Sequence, residues 1–355
     1  MVRLAMAPTD SPESPQPPSG WDDLEVFQDH PELHHYTTLD GLQGIVSTGT
    51  LWSTHFRDLN DHSEFMAVRK PFEQELTAEF RGLIQEERRH RFKVDQALGK
   101  LGGLNKVAAN SAKQMIALLY ASTYTDELGY RGVEDLKGPA FITSFCSHTG
   151  HEYERDNGLL SQWRGYGGRG GFCIVFDSMG LLDLLERENV THAYMRMGIN
   201  QVAYLYPETS VFSIVPTLRE VCRSYFARLL NRGPAIEQAG DLFLDFTKAA
   251  TFSKHQAFHE EREVRIVVQP ASEGWRRTVG RERRSPVPPA KPIIDTGQSR
   301  VVLFEGFGKK LPIRRVIVGP SIDQDRNLEF ARSLLGPDVP LILSETPYVD
   351  RAGLA

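Results

Sequence analysis

Four groups of residues have types and spacings suited to chemistry. His35 and Thr37 sit two apart in the strand-like segment Leu33–Thr38, so both side chains point the same way. Each can donate or accept a hydrogen bond toward one ligand, such as a ribose diol; a buried structural histidine fits the same pattern, and His34 points to the other face. In Lys254-x-x-x-Phe258-x-x-Glu261-x-Glu263-x-Arg265, the last three named residues are again two apart. If the strand Glu263–Gln269 extends back to Glu261, they form one charged row, with Val264 and Ile266 on the core side. Such a row is a solvated edge, a salt-bridged ladder, or an active-site carboxylate kept ionised by its arginine. Trp163 and Tyr166, three apart, would form one aromatic wall of a cavity or simply pack into the core, and Arg164 or Arg169 would meet a phosphate. In Asp58-Leu59-Asn60-Asp61-His62-Ser63-Glu64, Asp61 either caps the helix carrying Glu64 or joins it in a carboxylate pair for acid–base work or a cation.

These residues need a scaffold, and the pattern supplies one. Short apolar segments at 51–53, 140–146, 171–177, 201–205, 263–269 and 314–319 read as strands. The continuous apolar run Phe172–Phe176 suits a strand buried on both faces. Helices are expected over 41–47, 64–93, 104–120, 213–232, 236–258 and 325–335, so 63–122 is a mostly helical insertion. The charged run 86–91 is a solvated helix face. Between Trp163 and the apolar run from Phe172 lie five glycines and two arginines, a turn that would let backbone approach a ligand closely. Strands separated by helical segments of unequal length do not make a doubly wound sheet or a barrel. The expectation is an α+β fold, with a central mixed or antiparallel sheet of short strands and long helical insertions.

The chain has 355 residues, 40% of them hydrophobic, and a formal charge of −5. That size suits one large domain, expected over 21–345, after a Pro- and Ser-rich disordered leader at 1–20. The charge argues against a chain that binds nucleic acid electrostatically as a whole. Locally, 276–315 carries eleven Lys and Arg against three acids, enough to hold nucleic acid, although its prolines also suit a Pro- and Arg-rich loop over 275–300. Three scattered cysteines form neither a disulfide framework nor a metal site, which fits a reducing, cytoplasmic setting. No apolar run is long enough to span a bilayer, so no membrane association is expected.

Taken in order, the motifs resemble the DUF2971 family of bacterial and phage proteins. They are His35-Tyr36-Thr37, Gly49-x-Leu51-Trp52-Ser53, Leu59-Asn60-Asp61-x-x-Glu64, Ser144-Phe145-Cys146, Trp163-x-x-Tyr166, Gly171-Phe172-Cys173, Phe258-x-x-Glu261-x-Glu263-x-Arg265 and Val316-x-x-Gly319. The resemblance covers about 33–335 and implies no activity. More distantly, the opening His-Tyr-Thr, helix and glycine turn are similar to ADP-ribosyltransferase folds, including the DNA-modifying toxin type. That resemblance implies NAD as substrate without a metal, with His35 on the adenosine ribose, Tyr166 stacked on nicotinamide and Glu261 or Glu263 as the late-strand glutamate. Glu263 would stabilise the oxocarbenium, Glu261 would orient an acceptor (protein or nucleic acid), and the glycine turn would admit the pyrophosphate. A toxin or phage-defence effector would follow. Two alternatives stay open: a metal-dependent nuclease built on Asp61, Glu64, Glu261 and Glu263, and a non-catalytic nucleotide-sensing or interaction module.

Overall fold

The computed structural model describes residues 24–59, 64–90, 98–124, 139–168, 170–230, 236–283, 286–295, 297–308 and 310–347. The leader at 1–20, Asp61 and Arg169 lie outside these residues, as does the side chain of Glu64. Among the described residues ten strands form one mixed sheet. Its centre is β3 (Phe141–Cys146), which pairs along one edge with β8 (Glu263–Pro270), itself paired to β5 (Tyr194–Gln201). Along its other edge the sheet forks. β2 (Leu51–His55) pairs with residues 141 and 142, and leads outward to β10 (Ser299–Leu303) and β9 (Ile294–Asp295). β1 (Glu32–Thr37) pairs at Cys146, and leads to β4 (Phe172–Asp177), β11 (Ile313–Val318) and β12 (Leu341–Leu343). A separate parallel pair joins β6 (Ala203–Leu205) to β7 (Ser253–His255).

Alternation along the central strands separates two cores. Phe141, Phe145, Val264, Ile266 and Val268 point into one. Ile142 and Val267 point into the other, built with α4 (Arg69–His90), α5 (Leu104–Tyr124), α10 (Pro216–Leu230) and α11 (Ile236–Thr251). The first helices in the chain are α1 (Leu24–Asp29), α2 (Leu39–Thr48) and α3 (Glu64–Ala67). Each fully buried Val, Leu, Ile or Phe contributes roughly 1.5–3 kcal/mol, so both faces of β8 anchor it. The helical insertion expected over 63–122 is present as α3, α4 and α5. It is tied down by Glu75, whose carboxylate accepts from the backbone of Val211 and Phe212 at the start of α9 (Val211–Ile214).

The structure departs from the sequence pattern in several places, among them the strand expected over 201–205, which splits between the end of β5 and β6. The helix expected over 236–258 stops at Thr251; a strand and a short 3-10 helix, Gln256–Glu261, follow. The loop expected over 275–300 opens with α12 (Glu273–Arg283) and contributes β9 and the start of β10. The segment after Asp177 forms α8 (Ser178–Thr191), capped by the Asp177 carboxylate accepting from the Gly180 N–H at 2.8 Å.

Candidate functional site

A cavity of about 760 Å³ opens where the sheet forks. The strands β2 and β1 reach β3 at residues 141–142 and 146, so the edge at Thr143–Phe145 has no strand beside it. Side chains bridge the gap instead, and His35 takes up the Ser144 carbonyl of that edge. Thr143 hydrogen-bonds Ser53 at 2.7 Å and donates to the Trp52 carbonyl at 3.2 Å. The His35 ring donates from Nδ1 to the Ser144 carbonyl at 3.0 Å. That bond fixes the tautomer and leaves Nε2 as the acceptor of a ring that lines the cavity. Burial lowers the His35 pKa, against the opposing pull of the Ser144 carbonyl, so the ring is neutral at neutral pH.

Opposite the fork lies a cluster of four charges. Glu263, at the start of β8, is 3% exposed. Arg265 donates to it twice, Nε to Oε1 at 2.7 Å and Nη2 to Oε2 at 2.9 Å. Lys254 on β7 donates to Glu263 Oε2 at 2.9 Å and to Glu261 Oε2 at 2.7 Å. Burial alone would raise the Glu263 pKa, but Arg265 and Lys254 outweigh it and hold the carboxyl down to about 2. Lys254 also stands over the Phe258 ring, 4.8 Å from its centroid. The Glu263 N–H donates to the Tyr204 hydroxyl at 2.9 Å, which locks β6 and β7 onto the strand. Glu261 does not share the strand face expected for it. The strand begins at Glu263, and Arg262, with φ 45°, turns the chain out of the 3-10 helix. Lys254, which stood at the head of the same sequence pattern without an assigned role, is what joins the two glutamates.

The cavity thus gathers His35, Tyr166, Glu261 and Glu263, all expected at a site. Other expected residues are elsewhere. Trp163 is 2% exposed and does not form the expected wall; on α7 (Leu160–Tyr166) it packs edge-on against Tyr36 at 4.8 Å and donates to the Asn157 carbonyl at 3.0 Å. It fits there because Gly158, at φ 76°, and Gly319 carry no side chain: a Cβ on either would lie 2.5–2.8 Å from the indole. Thr37 packs over the start of α2, where a Cβ on Gly41 would collide with its hydroxyl, and it does not line the cavity. Arg164 is exposed to solvent away from the lining, and Arg169 lies outside the described residues. The glycine turn serves packing: Gly170 and Gly171 are buried, and a Cβ on Gly171 would lie 2.4 Å from Gly167 and 2.8 Å from the Thr37 carbonyl.

The basic segment is dispersed. Lys291 is buried, 2.9 Å from Glu188; Arg314 and Arg315 pair with Asp177 and Glu32 across the sheet; Arg276 binds the Pro288 carbonyl. The sequence reading missed Gln162 and Gln298 on the lining, and it quoted Trp52 and Phe258 in motifs without placing them at a site. Among the described residues no group of three or more His, Cys, Asp and Glu side chains is placed to hold a metal ion, and no helix is long and apolar enough to cross a membrane.

The stretch that carries Tyr166, Lys254 and both glutamates also decides the comparison with known proteins. Residues 162–266 match the family described as Protein of unknown function (DUF2971). The DUF2971 stretch holds the whole charge cluster and Gln162, whereas His35, Trp52 and Ser144 come from outside it. No curated protein and no solved structure matches the chain.

Proposed function

We propose that the cavity binds NAD and that the protein transfers ADP-ribose from it to an acceptor. The observation that supports this reading is the shared cavity: a neutral histidine with its acceptor nitrogen fixed, and a carboxylate pair, line one volume of about 760 Å³, the size of a small-molecule site. In the reaction the ribose C1–nitrogen bond breaks and its electron pair leaves with nicotinamide, which becomes neutral. The acceptor's lone pair attacks C1 and the acceptor loses a proton. Positive charge builds on the ribose, and a preorganised carboxylate stabilises it. Glu261, the less buried of the two glutamates with a side chain 14% exposed, fills that role. Glu263 is the positioning residue, since it holds Lys254 and Arg265 in place. His35 accepts from a ribose hydroxyl, and Tyr166, 40% exposed, supplies an aromatic surface for nicotinamide.

Incubation with NAD and chromatography of released nicotinamide tests this. Glu261→Gln should slow release by roughly 100-fold or more, the scale of losing one preorganised electrostatic contact. Absence of NAD binding and release by the intact chain, with protein and nucleic-acid extracts supplied as acceptors, refutes the proposal. One observation favours a second reading, a ligand-binding module without turnover: the two cations and two carboxylates of the cluster neutralise each other. Saturable NAD binding with no release of nicotinamide is its signature.

A further inference from the structure

The cavity holds a buried polar side chain that the rest of the protein leaves unanswered. Gln162 lies on α7 and is 5% exposed. Among the described residues no group hydrogen-bonds its side-chain amide, which faces the cavity it lines. Buried amides are costly without a partner, and folded proteins pair them with protein, water or ligand. The helix that carries Gln162 is held in place. Its neighbour Trp163 is locked in the core and donates to the Asn157 carbonyl at 3.0 Å; the same carbonyl accepts from Thr346 Oγ1 at 3.2 Å and from Ser344 Oγ at 2.5 Å. Tyr166 stands four residues on from Gln162 and also lines the cavity. Side chains at that spacing share a helix face, with their Cβ atoms about 5–6 Å apart.

A primary amide presents a donor and an acceptor side by side, so its full partner is a group with the complementary pair. A second primary amide is such a group. A ring lying against Tyr166 brings an amide arm within reach of Gln162, one helical turn away. We propose that Gln162 sets the selectivity of the cavity: its N–H donates to the carboxamide oxygen on the pyridine ring of the dinucleotide and its carbonyl accepts the carboxamide N–H, so the amide form is taken and the acid form excluded. This rests on the NAD reading and adds to it a choice between two dinucleotides of nearly equal shape. A carboxylate in place of the carboxamide has two acceptors and no N–H. Whichever way the Gln162 amide turns, its oxygen then meets an oxygen, and a buried group stays unpaired. Adenine, at the other end of the same molecule, also sets an N–H beside a ring nitrogen acceptor. It is the rival partner for this side chain, and ADP-ribose, which keeps adenine and lacks the pyridine ring, separates the two.

Calorimetric titration of the intact chain with NAD, with its nicotinic acid analogue and with ADP-ribose tests the assignment, while chromatography follows any pyridine base released. The parent should bind NAD about 5- to 150-fold more tightly than the analogue, the range for leaving one buried hydrogen-bonding group unpaired. Gln162→Met keeps the length of the side chain and removes the amide. It should weaken NAD, so that the ratio between the two dinucleotides falls toward one, and should leave ADP-ribose unchanged. Without ligand it should melt no earlier than the parent, because no bond within the protein is lost. If it does melt early, Gln162→Asn, which stays polar but falls one carbon short, carries the same test with the same expected fall in the ratio. A parent that binds both dinucleotides equally, a ratio that survives both substitutions, or a loss of ADP-ribose binding as large as that of NAD would each overturn the assignment. NAD binding and nicotinamide release with no preference for the amide form remove only the role of Gln162. A preference in binding with no release removes only the transfer reading, and a parent that does not bind NAD removes both.

Discussion

Replacing Glu263 by glutamine isolates what the buried cluster does. The side chain keeps its size, but the cluster passes from electrically balanced to one net positive charge, with Arg265 and Lys254 facing an amide at the distances they now hold to a carboxylate, 2.7–2.9 Å. Removing one partner of a buried pair costs about 3–5 kcal/mol, because the remaining charge stays desolvated. The titration of Glu263 gives a similar magnitude. Its pKa falls from 4.5 to about 2 on folding, and at 1.36 kcal/mol per unit that is about 3 kcal/mol at neutral pH. The folded-state pKa is the depressed one, so this stability is fully present above 4.5 and is lost as pH falls from there toward 2. Urea unfolding across that range is the assay. Glu263→Gln should be about 3–5 kcal/mol less stable near neutrality with an unchanged denaturant slope, and the gap to the parent should shrink as pH falls. Equal stability near neutrality, or a gap independent of pH, would refute the account. Glu261→Gln is the control: it breaks one contact of a less buried group and should cost about 1–2 kcal/mol. A positioning Glu263 predicts lost turnover together with lost stability, whereas a ribose-contacting Glu261 predicts lost turnover with little loss of stability.

Two further predictions concern the scaffold. Trp163→Ala should cost about 3–5 kcal/mol as a core truncation. Gly158→Ala should also destabilise, by more than ~1 kcal/mol, because the position has φ 76° and an added Cβ would lie 2.5 Å from the indole; parent-like melting temperatures for either variant would contradict this packing. Cys146, Cys173 and Cys222 are buried, and burial pushes all three thiols up, so they should react with a disulfide reagent only as fast as the chain opens. Rapid native-state labelling of any of them would falsify that expectation.

Some of this was legible in the sequence because local pattern and tertiary demand coincide. The unbroken apolar run of β4 and the alternation in β3 have one plausible burial each, and the helix expected over 64–93 is present as α3 and α4 up to His90. Spacing also selected His35, Glu261 and Glu263 for the site. It could not say that Trp163 faces inward. An aromatic three residues from another has the same spacing whether it lines a cavity or fills a core, and two distant glycines, Gly158 and Gly319, settle the matter. Nor could spacing give Lys254 or Trp52 a role, although both stood in its motifs. The ion pairs of Lys254 depend on a strand that begins nine residues later. Trp52 lines the cavity with Arg300, brought alongside through β10, over its ring.

The fork explains why the site divides along the chain as it does. An unpaired stretch of central strand leaves backbone groups without ladder partners, which is costly unless side chains replace them. His35 does so at the Ser144 carbonyl, while the Thr143 hydroxyl ties β3 to Ser53 and the Trp52 carbonyl of β2. The cavity is therefore a consequence of strand order: β1 and β2 meet β3 at opposite ends, and the space between them stays open. The cluster on β7 and β8 is assembled by short-range chain geometry, from Lys254 to Arg265, and would be present without the fork. A family match confined to 162–266 covers this self-contained half and omits the histidine that faces it. The ligand contact proposed for His35 and the charge role proposed for Glu261 thus belong to separate stretches of sequence, and the forked edge of β3 brings both side chains into one volume.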